Sequence, residues 1–231
     1  MILGIIPARG GSKGLLKKNI FPLLGKPLIG YTIEAAQSAK KLDHLVVSTE
    51  DSEIAEVSSR FGIKIIDRPP ELATDECNID GALKHTVKTI EQEGEVVEIV
   101  VWMQANFPLR EEGEIDVVIE KLITTGADSV CTMSPVRWPL EKAFKFSEGV
   151  LVPYFGTGGK YPRRQDYPDA YIPNGGVYAM RRDLLMKQPA PGDPFDYFFG
   201  QHRLAHVQPK LEFGLEIEDE QVLILAELFL E

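Results

Sequence analysis

Hydrophobic positions fall into two alternating patterns along the first half of the chain. Short apolar runs read as strands, and between them apolar residues recur at helical spacing. The strand-like runs are Met1–Ile6, His44–Thr49, Lys64–Ile66, Ile99–Met103 and Ser129–Met133. Leu28–Lys41 reads as a helix with Ile29, Ile33 and Ala36 along one face. Glu50-Asp51-Ser52-Glu53 is an acidic start of the kind a helix dipole favours, for a helix ending near Gly62. Ile79, Leu83, Val87 and Ile90 mark a helix running to Gly94. Ile115, Val118, Ile119, Leu122 and Ile123 form a clear amphipathic stripe. The last helix is expected to carry Val222, Leu225, Ala226 and Phe229 on one face. This order predicts an α/β fold: a mainly parallel sheet with helices on both faces, and ligands at the carboxyl ends of its strands.

The pattern changes from about Pro135 to Gly176. Alternation weakens, and Pro, Gly and aromatic residues crowd together: Trp138-Pro139, Tyr154, Tyr161-Pro162, Tyr167-Pro168 and Tyr171. Such a stretch is a long surface loop, or an excursion that packs against a partner. Asn174 to Met180 then returns to a strand. The expected organisation is one domain over residues 1–231 with an excursion at 135–176.

Composition narrows the picture. With 44% hydrophobic and 26% charged residues, the chain looks like an ordinary globular protein. No apolar run approaches the roughly 20 residues of a membrane helix, and the first residues lack a signal-peptide pattern, so no membrane partner is expected. Cys77 and Cys131 are too few for a disulfide framework and have no metal-ligand spacing. They read as reduced thiols of a cytoplasmic protein. The net charge of −10 argues against a nucleic-acid partner, but not against a nucleotide held by a local basic site.

Such a site stands directly after the first strand. Gly10, Gly11 and Gly14 are interleaved with Arg9, Ser12, Lys13, Lys17 and Lys18, and Asn19 follows. Pro7 ends the strand ladder, and glycines let backbone N–H groups approach a phosphate. Neither G-x-x-x-x-G-K-[ST] nor G-x-G-x-x-G is present. On residue types alone the loop is a phosphate site or a glycine-rich turn with solvated lysines.

The string Ile-Pro-Ala-Arg-Gly-Gly-Ser-Lys (Ile6–Lys13), a short gap and Lys18-Asn19 resembles the signature of the acylneuraminate cytidylyltransferases, the CMP-sialic acid synthetases. These are nucleotidyltransferases of the GT-A-like, Rossmann-related class. Further blocks resemble the family in order: Val47-Ser48-Thr49-Glu50-Asp51, Arg68-Pro69 with Leu72 to Asp75, Gln104 with Pro108-Leu109-Arg110, Arg163-Arg164-Gln165 with Pro168, and Asn174-Gly175 with Tyr178. Departures are Ala105-Asn106-Phe107 for Pro-Thr-Ser, Asn78 for a serine, Glu216-Ile217-Glu218 for Asp-Ile-Asp, and Val222 for an aspartate. The first loop differs from that of the related synthetases for the eight-carbon acid Kdo, which lack Gly-Gly-Ser-Lys.

The resemblance implies transfer of CMP from CTP to a nine-carbon 2-keto-3-deoxy sugar acid, in a homodimer. It places Arg9 and Lys18 on the α-phosphate and leaving pyrophosphate. Ala8, Gly10, Gly11, Ser12, Lys13, Asn19, Arg68 and Asn78 fall on the nucleotide. Gln104, Arg164, Asn174, Tyr178, Phe198 and Phe199 fall on the sugar acid, and Glu216 and Glu218 on Mg²⁺. Plainer readings stand beside these: a helix N-cap for Asn78, a surface residue for Arg164, core packing for Phe198-Phe199, solvated side chains for Lys17, Glu216 and Glu218. Another acceptor, such as Kdo or a sugar phosphate, or an inactive nucleotide-binding regulator, remains open.

Overall fold

Seven strands form the central sheet. The structure, a computed structural model, describes residues 1–12, 14–155, 161–187, 199–208 and 210–231. β1 (Ile2–Pro7) is central, with β4 (His44–Thr49) and β6 (Ile99–Trp102) parallel on its two sides. β5 (Lys64–Asp67) extends the parallel run beyond β4. Beyond β6, β10 (Tyr171–Arg181) is antiparallel to β6 and to β7 (Ser129–Pro135), and β11 (Arg203–Val207) is parallel to β7. Six strands therefore point one way and β10 alone is reversed, which makes the sheet mainly parallel as expected.

The strands read as near-continuous apolar runs because both sheet faces are covered. In β6, Ile99 and Val101 face one layer, while Val100 and Trp102 face the other. The first layer is α1 (Leu28–Ser38), α2 (Ser52–Ser59) and α4 (Glu114–Thr125), through Ile29, Ile33, Ile54, Val118 and Leu122. The second is α3 (Ile79–Gln92) and α5 (Arg182–Met186), through Leu83, Val87, Leu184 and Leu185. Asp51 caps α2 by accepting from the N–H groups of Glu53 and Ile54.

Three expectations need correction. The closing helix α6 (Glu220–Leu230) buries Leu223 and Ala226, whereas Leu225 and Phe229 are about half exposed. Its sequence is apolar almost all round, so the neighbours Leu15, Leu28 and Ile217 select the inward stripe rather than periodicity. The return strand starts at Tyr171, not Asn174, and its register shifts between Pro173 and Tyr178. Lastly, the stretch 135–176 contains a hairpin, β8 (Phe144–Ser147) with β9 (Val150–Pro153). Glu148 and Gly149 both have positive φ, the two-residue turn that matches strand twist. β2 (Pro22–Leu23) and β3 (Lys26–Pro27) form a small ladder between the first loop and α1. No helix among the described residues is long and apolar enough to cross a membrane.

Candidate active site

A cavity of about 420 Å³ opens at the carboxyl ends of β1 and β6, where an open α/β sheet places ligands. Arg9, Ser12, Lys18, Asn19, Arg68, Gln104, Glu216 and Glu218 all line it, although they come from four separate stretches of chain. Trp102 and Asn106 line it too.

The first loop is tied down on several sides. Asn19 is buried and its amide donates to the Arg9 carbonyl at 2.9 Å. The Arg9 guanidinium is half-exposed and pairs with Asp75 at 2.8 Å. Gly10 donates its N–H to Glu50 Oε1 at 2.8 Å, and a Cβ on Gly10 would lie 2.2 Å from Asp51 Oδ2. A larger residue there would have to displace the Asp51 side chain, which caps α2. Gly14 is more tightly constrained, since a Cβ there would meet the Glu218 backbone carbonyl at 2.4 Å. Lys18 Nζ sits 2.6 Å from Glu218 Oε1, its side chain only 14% exposed. Lys17, by contrast, is exposed and pairs with Glu53, in line with the solvated reading.

Arg68 is 4% exposed. It donates to the Ser48 carbonyl and hydroxyl and lies 3.9 Å from Glu50. Burial lowers its guanidinium pKa, which the facing Glu50 carboxylate partly offsets. The residue therefore braces β4 as well as facing the cavity.

Glu216 and Glu218 flank Ile217, which is fully buried beneath α6. In an extended segment the residues two apart share a face, so both carboxylates reach the cavity. One Asn106 amide donates to Glu216 Oε1 at 3.3 Å and to Glu218 Oε1 at 3.0 Å. Burial holds the Glu216 carboxyl above its usual range. Glu218 pushes it further, while Asn106 and Lys18 pull it back. Among the described residues no cluster of three or more His, Cys, Asp or Glu could cage a metal. Two convergent carboxylates fit Mg²⁺ nevertheless, because that ion is commonly held by one or two carboxylates, waters and substrate phosphates.

Several expected residues are not brought to the cavity. The Ala8 N–H joins the Ser48 carbonyl at 3.0 Å and its side chain lies in the core. Ser12 does line the cavity, but its N–H is turned to the Gly10 carbonyl at 2.9 Å, and the Gly10 N–H is held by Glu50. Gly11 lies beside them, open at its Cα. Asn78 occupies the N-cap position of α3 without a side-chain hydrogen bond to the helix, and Ile79 lines the cavity instead. Asn174 turns inward. It accepts from Thr132 Oγ1 at 2.7 Å and the Gly176 N–H at 3.2 Å, and donates to Ser134 Oγ and Gln208 Oε1. Its polar atoms are used to hold the irregularity in β10. Tyr178 is buried, stacked on Trp102 at 4.1 Å, and burial raises its hydroxyl pKa. Phe199 packs near Tyr178 at 6.1 Å and lines a separate apolar cavity with Cys131 and Met133. Arg164 stacks over Trp138 at 5.1 Å in the excursion, beside another cavity of about 460 Å³. Lys13 and Phe198 lie outside the described residues.

Sequence reasoning missed two organisers. One is Asn106. The other is Arg110, a buried guanidinium that donates to the carbonyls of Gln104, Phe107 and Gly176 and to Thr32 Oγ1. Burial pulls its pKa down to about 10, against the pull of Glu114. It ties the end of β6 to β10 and so fixes the cavity floor. Its place in Pro108-Leu109-Arg110 was the available signal.

The arrangement sets three cations, Arg9, Lys18 and Arg68, beside two carboxylates in one cavity. That is a setting for a polyanion with a divalent cation. Comparison with known proteins identifies the family. Residues 3–182 match the family model described as cytidylyltransferase. The chain is 30% identical over 209 residues to a pseudaminic acid cytidylyltransferase of Campylobacter jejuni subsp. jejuni serotype O:23/36, covering 90% of this chain and 87% of that one. It is 31% identical over 230 residues to an N-acylneuraminate cytidylyltransferase of Streptococcus agalactiae serotype V, covering 97% of this chain and 52% of that one. The fold is shared with CMP:2-keto-3-deoxy-manno-octonic acid synthetase complexed with CTP, at a TM-score of 0.68 and 17% identity over 99% of this chain and 98% of that one. The chain belongs to the cytidylyltransferase family and is a nucleotidyltransferase.

Proposed function

We propose that the protein transfers CMP from CTP to the anomeric hydroxyl of a nine-carbon 2-keto-3-deoxy sugar acid and releases pyrophosphate. The hydroxyl oxygen attacks the α-phosphorus, the bond to the β-phosphate breaks with its electrons leaving on pyrophosphate, and the hydroxyl proton passes to solvent. Such a reaction needs little covalent help. Its barrier falls through positioning and charge neutralisation.

The observation that carries this reading is the single cavity holding Arg9, Lys18, Gln104, Glu216 and Glu218. Arg9 and Lys18 would bind the α-phosphate and the pyrophosphate. Asn19 fixes the Arg9 backbone, so the loop is organised before substrate arrives. Gly11, Ser12 and Lys13 would meet the outer phosphates. Gln104, at the end of β6, would contact the sugar acid. Glu216 and Glu218 would hold Mg²⁺, which when bound neutralises triphosphate charge. Lys18 would exchange its present partner Glu218 for phosphate oxygens. Free Cys77 and Cys131 suit a cytoplasmic setting.

The nine-carbon acid is favoured by relatives named for pseudaminic and N-acylneuraminic acids at about 30% identity. The Kdo-type structure shares the fold at 17% identity. Pyrophosphate release from each of four nucleoside triphosphates against Neu5Ac, legionaminic, pseudaminic, Kdn and Kdo acids tests the proposal. Turnover confined to CTP and one or more nine-carbon acids is expected. Preference for Kdo, or CTP binding without release, would replace it with the eight-carbon or the regulatory alternative.

A further inference from the structure

We infer that Asn106 is a positioning residue for the Glu216–Glu218 pair, so that the three side chains act as one set. The inference rests on the reading of that pair as the Mg²⁺ ligands, and extends it to the residue that holds both of them in place.

Asn106 is 6% exposed and follows β6 by a few residues. It grips the acidic segment from both ends of one residue. Its backbone carbonyl accepts from the Ile217 N–H at 2.9 Å, and its side-chain amide donates to the Ile217 carbonyl at 2.9 Å. This two-point hold, with Ile217 sunk in the core, fixes the direction in which both flanking side chains leave the backbone. The same amide nitrogen also reaches Glu218 Oε1 and Glu216 Oε1.

The chemistry of that nitrogen matters. An NH₂ group has two hydrogens and no negative charge. It therefore draws two carboxylates towards one point and offsets part of their mutual repulsion. With three acceptors and two hydrogens, the acceptors compete. The contact to Glu216 is the longest, and it is the one a cation displaces most readily. A serine or threonine hydroxyl carries one hydrogen on a shorter stem and cannot span both glutamates and the Ile217 carbonyl.

Orienting partners of this kind are worth about 10–100-fold in metal affinity. The test measures Mn²⁺ binding to the protein with CTP and no acceptor, by electron paramagnetic resonance, so no turnover enters. Asn106→Ala should weaken Mn²⁺ about 10-fold or more, and Asn106→Ser, which keeps a short donor and guards against a folding failure, should fall between. Loss of the Ile217 contact alone would destabilise the fold in any background. The coupling is therefore read in a Glu218→Gln background, where Asn106→Ala should add little further loss of Mn²⁺ affinity. Wild-type Mn²⁺ affinity in Asn106→Ala, or a full additional loss in the Glu218→Gln background, overturns the inference while leaving the metal site standing. Unchanged Mn²⁺ affinity in both Glu216→Gln and Glu218→Gln instead ends the metal reading, and this inference with it.

Discussion

Glu114 is 2% exposed, and Gln208 donates to its Oε1 at 2.6 Å. Among the described residues its Oε2 has no hydrogen-bond partner. Burial pushes the carboxyl up to about 7 from 4.5; Gln208 and the Arg110 charge oppose this, and Glu111 adds to it. The unfolded chain therefore gives up this proton first as pH rises. Stability contributed by the neutral form is complete below about pH 4.5 and declines through the window up to about pH 7, by a total on the order of 3 kcal/mol. Glu114→Gln should flatten that decline and raise the melting temperature at pH 8. Parallel wild-type and variant melting curves from pH 4.5 to 8 would contradict the assignment. At this scale the sequence indicated which side chains meet in one cavity, as for Arg9, Lys18, Gln104, Glu216 and Glu218. It was not readable for Asn174 and Tyr178. A polar or aromatic residue at a strand end looks the same whether it faces a cleft or closes a bulge, and only the partners Thr132, Gln208 and Trp102 decide.

β10 is the element on which the cavity floor depends. Its irregular stretch places Gly175 at φ +80°, where a Cβ would lie 2.6 Å from the Gln104 side chain. The Gln104 N–H also donates to the Gly175 carbonyl at 3.3 Å. Gly175→Ala should therefore strain the backbone and push Gln104 out of place. Misplacement of about 1 Å can cost around 10²-fold in rate, so kcat/KM for the acceptor should fall by about that factor while CTP affinity holds. Equal loss of CTP affinity in binding measurements would show that the glycine serves the whole site instead. The helices and parallel strands were legible because their period is set by burial on known faces. The hairpin β8–β9 was not, because its apolar residues Phe144, Phe146, Val150 and Leu151 are all exposed in the single chain and mark no core face.

For the whole molecule, alternation of strands and helices was enough to give the mainly parallel sheet, but not the reversal of β10, which depends on how the chain returns from the excursion. That excursion leaves Trp138, Phe144, Phe146, Val150, Leu151 and Tyr154 more than half exposed. A two-stranded hairpin is marginal alone, and so much exposed apolar surface calls for a partner. We propose that a second copy in a two-fold dimer would meet both needs, and would bring Arg163 or Lys142 near the other copy's acceptor site. Light scattering at micromolar concentration should give the dimer mass, and Phe146→Asp should shift it towards the monomer. A monomer with full activity would refute the dimer. The central claim is that the Arg9-lined cavity carries out the transfer. The most direct test is pyrophosphate release from CTP by Arg9→Ala at saturating acceptor, alongside its melting temperature. Loss of a preorganised donor should lower kcat by roughly 10²–10³ with the fold retained. Near-normal turnover in Arg9→Ala would place the chemistry elsewhere.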